Sequence, residues 1–330
     1  MLSHRPTIAI VGASGYTGAL LAELLLGHPD VDLVAVSSST LRGSPVSQTL
    51  PRVRADLTFC DDGEVGGVDV AFLCLPEGRS APVAKRLLDD GALVVDLSPD
   101  FRLSLQAYHE WYGEHPCPEL LPGVYGLPEL HREEILRARL VANPGCYSTA
   151  ALLALHPLKD MGLLDVVIDA KSGVSGAGKT PSERTHFCSV DSDLTAYAVG
   201  GHRHLPEICA GLSADGQAPP LTFVPHLVPL QRGIVETAYV RVSELPSEEE
   251  LRRRYRDAYA GEPFLEVIDE PPRLRDVTGT NYCRIFPTVD ERAGRVLVVA
   301  ALDNLMKGAS GQAMQNMNLM LGRPEHSGLR

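Results

Sequence analysis

Long apolar runs are missing from this sequence. No stretch approaches the roughly 18 uninterrupted apolar residues of a membrane-spanning helix, so no membrane association is expected. Positive charge is also in deficit, with 30 Lys and Arg against 42 Asp and Glu and a formal net charge of −12. A nucleic-acid surface needs a clustered basic footprint to release counterions, so nucleic acid is not an expected partner. Any phosphate must then be held locally. The seven cysteines are odd in number and irregularly spaced, which fits a reduced compartment better than a disulfide framework. The first residues, MLSHRPTIAIVG, pass straight into a strand pattern with no small-residue cleavage site, and the expectation is a cytoplasmic protein. Internal repeats and low-complexity segments are absent as well.

At 330 residues the chain exceeds one typical domain, and the length predicts two, each able to bury its own core. The first half alternates strand-like and helix-like segments. TIAIVG at 7–12 is followed by the helical YTGALLAELLL at 16–26, and further apolar runs begin at Val31, Asp69 and Ala92. Such alternation predicts βαβ units and a parallel, Rossmann-type doubly wound sheet. After residue 160 the texture changes to longer β-branched runs, LTFVPHLVPL, GIVETAYVRV, NYCRIFPTV and RVLVVAAL, with one clear helix at SEEELRRRYRDAYAG. Grouped strands with few helices predict an antiparallel sheet faced by helices, an α+β domain. The last segment, GASGQAMQNMNLML, reads as a helix with no strand after it, returning to pack on the first domain. The expected boundaries are 1–145, completed by 305–330, for the nucleotide domain and 146–304 for the α+β domain.

The turn after the first strand reads Gly12-Ala13-Ser14-Gly15-Tyr16-Thr17-Gly18, a GxxGxxG variant of the dinucleotide fingerprint. Its glycines allow a tight turn, and a pyrophosphate would rest on the helix N-terminus that follows. The end of the second strand, where an NAD site carries an acidic residue for the ribose 2′-hydroxyl, instead reads SSSTLR. Ser38, Ser39 and Arg42 suit a 2′-phosphate, so NADP(H) is the expected cofactor. A second glycine-rich stretch, Gly173-Val174-Ser175-Gly176-Ala177-Gly178-Lys179-Thr180, satisfies the P-loop pattern letter for letter. A P-loop also requires an amphipathic helix after the lysine, yet Pro181 and a polar run follow.

Cys146, in Asn143-Pro144-Gly145-Cys146, opens an apolar helical segment. A helix N-terminus favours a thiolate, so Cys146 is a candidate nucleophile, with a structural thiol as the alternative. Cys74 and Cys283 lie in strand-like runs and Cys209 in a helical one, where a small buried hydrophobe is the expected role; Cys60, Cys117 and Cys188 show no sign of activation. GHRHLPEI offers the base. If Pro206 opens a helix, His204 and Glu207 share a face and the carboxylate can orient the imidazole, with His202 in reserve. Metal ligation by His186, Cys188, His202 and His204 has HxC and HxH spacing rather than a structural-zinc spacing, and no metal is expected.

Together GASGYTG, DLSPDFRL, YGLPEL, NPGCYST, SGVSGAGKTP, GHRHLPEI and DNLMKGASGQAMQNMN resemble the N-acetyl-γ-glutamyl-phosphate reductase family of the semialdehyde dehydrogenase superfamily, over essentially the whole chain. Family members often carry Pro at the position of Ser148 and Arg at that of Lys179. The resemblance implies NADPH-dependent reduction of N-acetyl-γ-glutamyl phosphate to N-acetylglutamate semialdehyde in arginine biosynthesis, through a thioester on Cys146 with His204 managing the proton. It implies that SGxSGAG is no ATPase signature: Ser175, Gly176 and Lys179 would meet the acyl phosphate. Arg102 and Arg203 would clamp carboxylate or phosphate, or serve as ion pairs, and Asn304 would hold the nicotinamide amide. A dimer or tetramer is implied. The alternatives are a lysine-pathway acyl-phosphate reductase, aspartate-semialdehyde dehydrogenase and, in other classes, a P-loop ATPase or a nucleotide-binding redox regulator.

Overall fold

The computed structural model describes residues 5–213 and 217–329. Contacts divide the chain into two compact units, one running to Pro144 and resuming at Ala309, the other Gly145–Gly308.

In the first unit Thr7–Val11 (β1), Asp32–Val36 (β2), Val70–Leu73 (β3), Leu93–Asp96 (β4), Val124–Tyr125 (β5) and Leu140–Ala142 (β6) form one sheet in the order β2-β1-β3-β4-β6-β5. Every neighbouring pair is parallel. The central strands are apolar on both faces, as strands between two helical layers must be: Ile8, Ile10, Val70 and Phe72 are buried in the core on one side and Ala9, Val11, Ala71 and Leu73 in the core on the other. The chain leaves β1 for β2 on one side and then crosses to β3 on the other. That reversal opens a crevice at the carboxyl end of β1, the usual ligand position in doubly wound sheets.

The helix Gly311–Met320 belongs to this unit, as its sequence predicts. Met314 and Met317 join the core of Leu21, Leu25 and Phe72. Its buried asparagines place their amide donors: Asn316 Nδ2 donates to Gly126 O at 2.9 Å and Asn143 Oδ1 at 3.0 Å, and Asn318 Nδ2 to Glu325 O and Ser327 O. A polar helix can be interior only on those terms.

In the second unit Leu163–Gly173 (β7), Thr195–Ala196 (β8), Leu221–Val228 (β9), Ile234–Val242 (β10), Leu265–Val267 (β11), Cys283–Asp290 (β12) and Arg295–Leu302 (β13) form a sheet in the order β11-β12-β13-β10-β7-β9-β8. Along most of their length the strands alternate, one side chain buried and the next half-buried, the period-2 signature of a sheet covered on one face. Helix Cys146–Leu155 is buried along nearly its whole length, and Tyr255 and Tyr259 donate to the carbonyls of Ala154 and Leu153 near its end. The sheet is not purely antiparallel as its sequence suggests: β7 pairs with β9, and β11 with β12, in parallel. Both pairs are joined by long connections, 174–220 and 268–282, which is what a parallel pairing requires. Among the described residues no helix is long and apolar enough to cross a membrane.

Candidate active site

The glycine turn of the first unit is built to receive a ligand backbone-first. Gly12 has φ +82°, and a Cβ there would stand 2.6 Å from Cys74 O. A Cβ on Gly18 would meet Ala13 Cα at 2.6 Å, so only glycine lets the helix approach the strand. Gly15 faces open space, its nearest atom in that direction being Gly12 O at 3.9 Å. Helix Tyr16–Leu26 starts there and runs for 11 residues, so its first-turn N–H groups and positive dipole end line an uncrowded cradle. These residues fit a dinucleotide pyrophosphate.

The end of β2 is tied to this turn. Ala13 N donates to Ser37 O at 2.9 Å, Gly12 N to Ser37 Oγ at 3.2 Å, and Ser38 Oγ to Ser14 Oγ at 3.1 Å. Ser39 and Arg42 are exposed beside it. A feature unseen in the sequence appears here: Ser37 Oγ also donates to Asp62 Oδ1 at 2.6 Å, and Arg42 pairs with Glu64. Carboxylates absent from the SSSTLR stretch arrive from a segment twenty residues further on. At the end of β4, Asp96 is fully buried and accepts from Ser98 Oγ at 2.6 Å, and burial lifts its carboxyl to about 6. Arg102 donates to Leu97 O at 2.8 Å.

In the second unit Cys146 is the first residue of its helix, with Gly145 as the N-cap. A Cβ on Gly145 would lie 2.5 Å from His204 Nε2, so the imidazole rests on the glycine backbone next to the cysteine. Gly308 is required on another side, where a Cβ would come within 2.9 Å of Cys146 Cβ. Pro206 does open a helix, Leu205–Leu212, and Glu207 projects from its first turn. Its buried carboxylate accepts the Gly145 N–H at 2.7 Å. Glu207 thereby anchors the N-cap of the cysteine helix, a task its spacing from His204 did not reveal.

His202 sits in an aromatic box, edge-to-face with Tyr147, Tyr197 and Phe223 at 5.3–5.6 Å. Its Nδ1 accepts the His204 N–H at 3.1 Å, which leaves the proton of the neutral ring on Nε2. Burial lowers its pKa to about 4 against the opposing pull of Glu207, so it is uncharged at neutral pH. The Tyr147 and Tyr197 hydroxyls meet at 3.1 Å, and the Arg184 guanidinium lies 4.9 Å over the Tyr197 ring. Neither tyrosine was singled out by sequence, since an aromatic carries no motif. Arg203 is exposed. His186 Nδ1 accepts from Cys188 N in an exposed four-residue helix, and among the described residues no three His, Cys, Asp or Glu side chains converge as a metal site.

The P-loop match ends differently from a P-loop. Val174–Ala177 is a single 3₁₀ turn, followed by another at Glu183–Thr185 and the helix Phe187–Val190. The N–H groups of Gly173, Val174 and Ser175 donate to the carbonyls of Gly233, Leu230 and Gln231 at 2.8–3.0 Å. Asn304 completes this lacing, its Oδ1 accepting from Gly233 N at 2.6 Å and its Nδ2 donating to Ser175 Oγ at 3.0 Å. Asn304 thus pins the loop within the second unit. Gly176 and Lys179 lie on the exposed side of the loop. Arg232, beside Gly173, forks onto the fully buried Asp303, which also accepts from the backbone of Gly279, Leu305 and Met306.

Residues 7–138 match the family described as semialdehyde dehydrogenase, NAD binding domain, and residues 146–304 match the semialdehyde dehydrogenase dimerisation domain. Similar proteins include N-acetyl-gamma-glutamyl-phosphate reductases of Rubrobacter xylanophilus, 50% identical and covering 98% of both chains, and of Dehalococcoides mccartyi, 49% identical over 97% of this chain and 96% of that one. Among solved structures, aspartate semialdehyde dehydrogenase II from Vibrio cholerae shares the fold at a TM-score of 0.76 with 19% identity, covering 97% of this chain and 99% of that one. With half of its residues shared along nearly its full length, the chain belongs to the N-acetyl-γ-glutamyl-phosphate reductase family of semialdehyde dehydrogenases.

Proposed function

We infer that this protein reduces N-acetyl-γ-glutamyl phosphate to N-acetylglutamate semialdehyde and phosphate, with NADPH as the electron donor, in arginine biosynthesis. The observation that carries the reading is the seating of the His204 imidazole on Gly145, directly beside a cysteine that opens a helix. The Cys146 sulfur, its proton taken by His204, attacks the acyl carbon; the carbon–oxygen bond to phosphate breaks and a thioester remains. When bound on the Gly12–Gly18 turn, the nicotinamide cofactor supplies the hydride. The carbon–sulfur bond then breaks as the carbonyl reforms, the aldehyde leaves, and the cysteine is restored. Glu207 holds the N-cap in place throughout. His202, its ring 4.8 Å from that of His204, stays neutral. Lys179 offers the departing phosphate a cation.

The 2′-phosphate of NADP(H) is assigned to Ser38, Ser39 and Arg42. The protein acts as a homo-oligomer, and we assign the second copy to the open face of the second sheet. There Val167, Val235, Tyr239, Leu297 and Val299 alternate with the buried positions and remain half-exposed, interspersed with the Lys171–Asp169 and Arg295–Asp165 ion pairs, a mixed apolar and charged surface of the kind that oligomer interfaces cover.

Incubation with N-acetylglutamate semialdehyde, NADP and phosphate tests the reaction in its oxidative direction. A rise in reduced-nicotinamide absorbance that requires phosphate is the expected result. Absence of the rise with folded protein, or a rise only with aspartate semialdehyde, overturns the reading.

A further inference from the structure

The residues that follow β2 do not meet a ligand alone. Segment 58–64 is stitched alongside them: Cys60 N donates to Val36 O and Ser38 N to Cys60 O, both at 3.1 Å, extending the sheet edge past β2. The chain then makes a 3₁₀ turn over Asp62–Glu64 closed by a capping box. Gly63 N donates to Asp61 Oδ1 at 3.0 Å, and Asp61 N donates to Glu64 Oε2 at 2.8 Å. The box leaves Glu64 little freedom, and its other oxygen pairs with Arg42 Nη2. Asp62, with its side chain 14% exposed, accepts from Ser37 Oγ on one side and lies 3.9 Å from Arg79 on the other. Two carboxylates therefore border the place where the 2′ substituent of a bound cofactor's ribose must lie, and one of them holds its cation.

We propose that Glu64 is a specificity-determining residue that works against the phosphorylated cofactor by occupying Arg42. A 2′-phosphate dianion and a carboxylate compete for the same planar donor. To bind, the phosphate must open the Arg42–Glu64 pair and tolerate the released charge nearby; a 2′-hydroxyl needs neither. Glu64 thus narrows the preference for NADP(H) over NAD(H) without touching the nicotinamide. The proposal rests on the assignment of Arg42 to the 2′-phosphate. Because both side chains are about half exposed, the effect is modest and shrinks as salt screens it.

The test is direct binding of NADPH and NADH without substrate, by fluorescence titration of the wild type, Glu64→Gln, Arg42→Ala and the double variant at low and moderate salt. Gln at the third position of a capping box preserves the turn, so Glu64→Gln isolates the charge. It is expected to tighten NADPH about three- to tenfold and to leave NADH within about twofold. In the Arg42→Ala background the same change should do nothing for NADPH. An unchanged NADPH affinity in Glu64→Gln, or an equal gain for both cofactors, overturns the proposal while Arg42 keeps its assignment. If Arg42→Ala leaves the NADPH-to-NADH ratio unaltered, the Arg42 assignment falls and the proposal with it.

Discussion

Two glycine-rich loops in this molecule both follow a strand and both match a nucleotide-binding pattern, and they are built in opposite ways. Gly12–Gly18 runs into an 11-residue helix whose Gly18, Leu21, Ala22 and Leu25 are buried against the first sheet. Gly173–Thr180 runs into isolated turns, and its first three N–H groups are consumed by the carbonyls of 230–233. Glycines only make room. The anion site is made by the helix that follows, which leaves first-turn N–H groups without intrahelical partners and aligns the peptide dipoles behind them.

The largest expected effect separates the cofactor loop from the chemistry. Cys146→Ala should lower turnover by at least about a thousandfold, while NADPH affinity stays within twofold, because the Gly12–Gly18 cradle belongs to the other unit. Parallel loss of turnover and cofactor affinity would show the cysteine to be structural.

Next in size is Gly145→Ala, whose methyl group would stand 2.5 Å from His204 Nε2. The ring must move, and kcat is expected to fall by about ten- to a hundredfold. Wild-type kcat would mean that the placement of the imidazole is not needed for catalysis.

Lys179→Ala probes the second loop itself. Apparent KM for phosphate in the oxidative direction should rise about three- to tenfold, as for loss of one exposed cationic partner, with NADP affinity unchanged. Magnesium-dependent ATP hydrolysis that disappears in this variant would restore the P-loop reading and dissolve the comparison.

The smallest effect concerns the sheets beneath the loops. Glu236 lies fully buried on β10 between Ala170 and Ala300, and neither of its side-chain oxygens has a hydrogen-bond partner. Burial raises its pKa well above the ordinary carboxylate value. A raised folded-state pKa favours folding below the unfolded value of about 4.3 and costs stability as pH climbs toward the folded value. From pH 5 upward the wild type should therefore lose stability relative to Glu236→Gln, by at most about 1.4 kcal/mol per pH unit. Urea titrations at several pH values measure this, and parallel curves would show that Glu236 does not titrate between the two states.

Much of this was legible in one dimension because it depends on local order. The strand and helix periods, the GxxGxxG turn, the cysteine at a helix start and the break after Lys179 are each carried by residues within a few positions of one another. Helix Tyr16–Leu26 falls where its apolar residues say it should, since short-range periodicity decides which face is buried. The direction of strand pairing was harder to read. β7 and β9 are parallel neighbours only because 174–220 carries the chain back, and no residue in either strand records that.

What the tertiary structure alone decided is which distant groups share a space. Sequence placed His204 and Glu207 on one helix turn; folding seated the imidazole on Gly145 and gave the carboxylate the Gly145 N–H. Sequence showed Arg42 in a stretch free of acid; folding brought Glu64 to it across 22 residues. It likewise bound Asn304 to Ser175 across 129 residues. The physical reason is the same in each case. Helix and strand formation depend on interactions along the chain, whereas the field at a site sums over every charge and dipole within a few ångströms, whatever its position in the sequence.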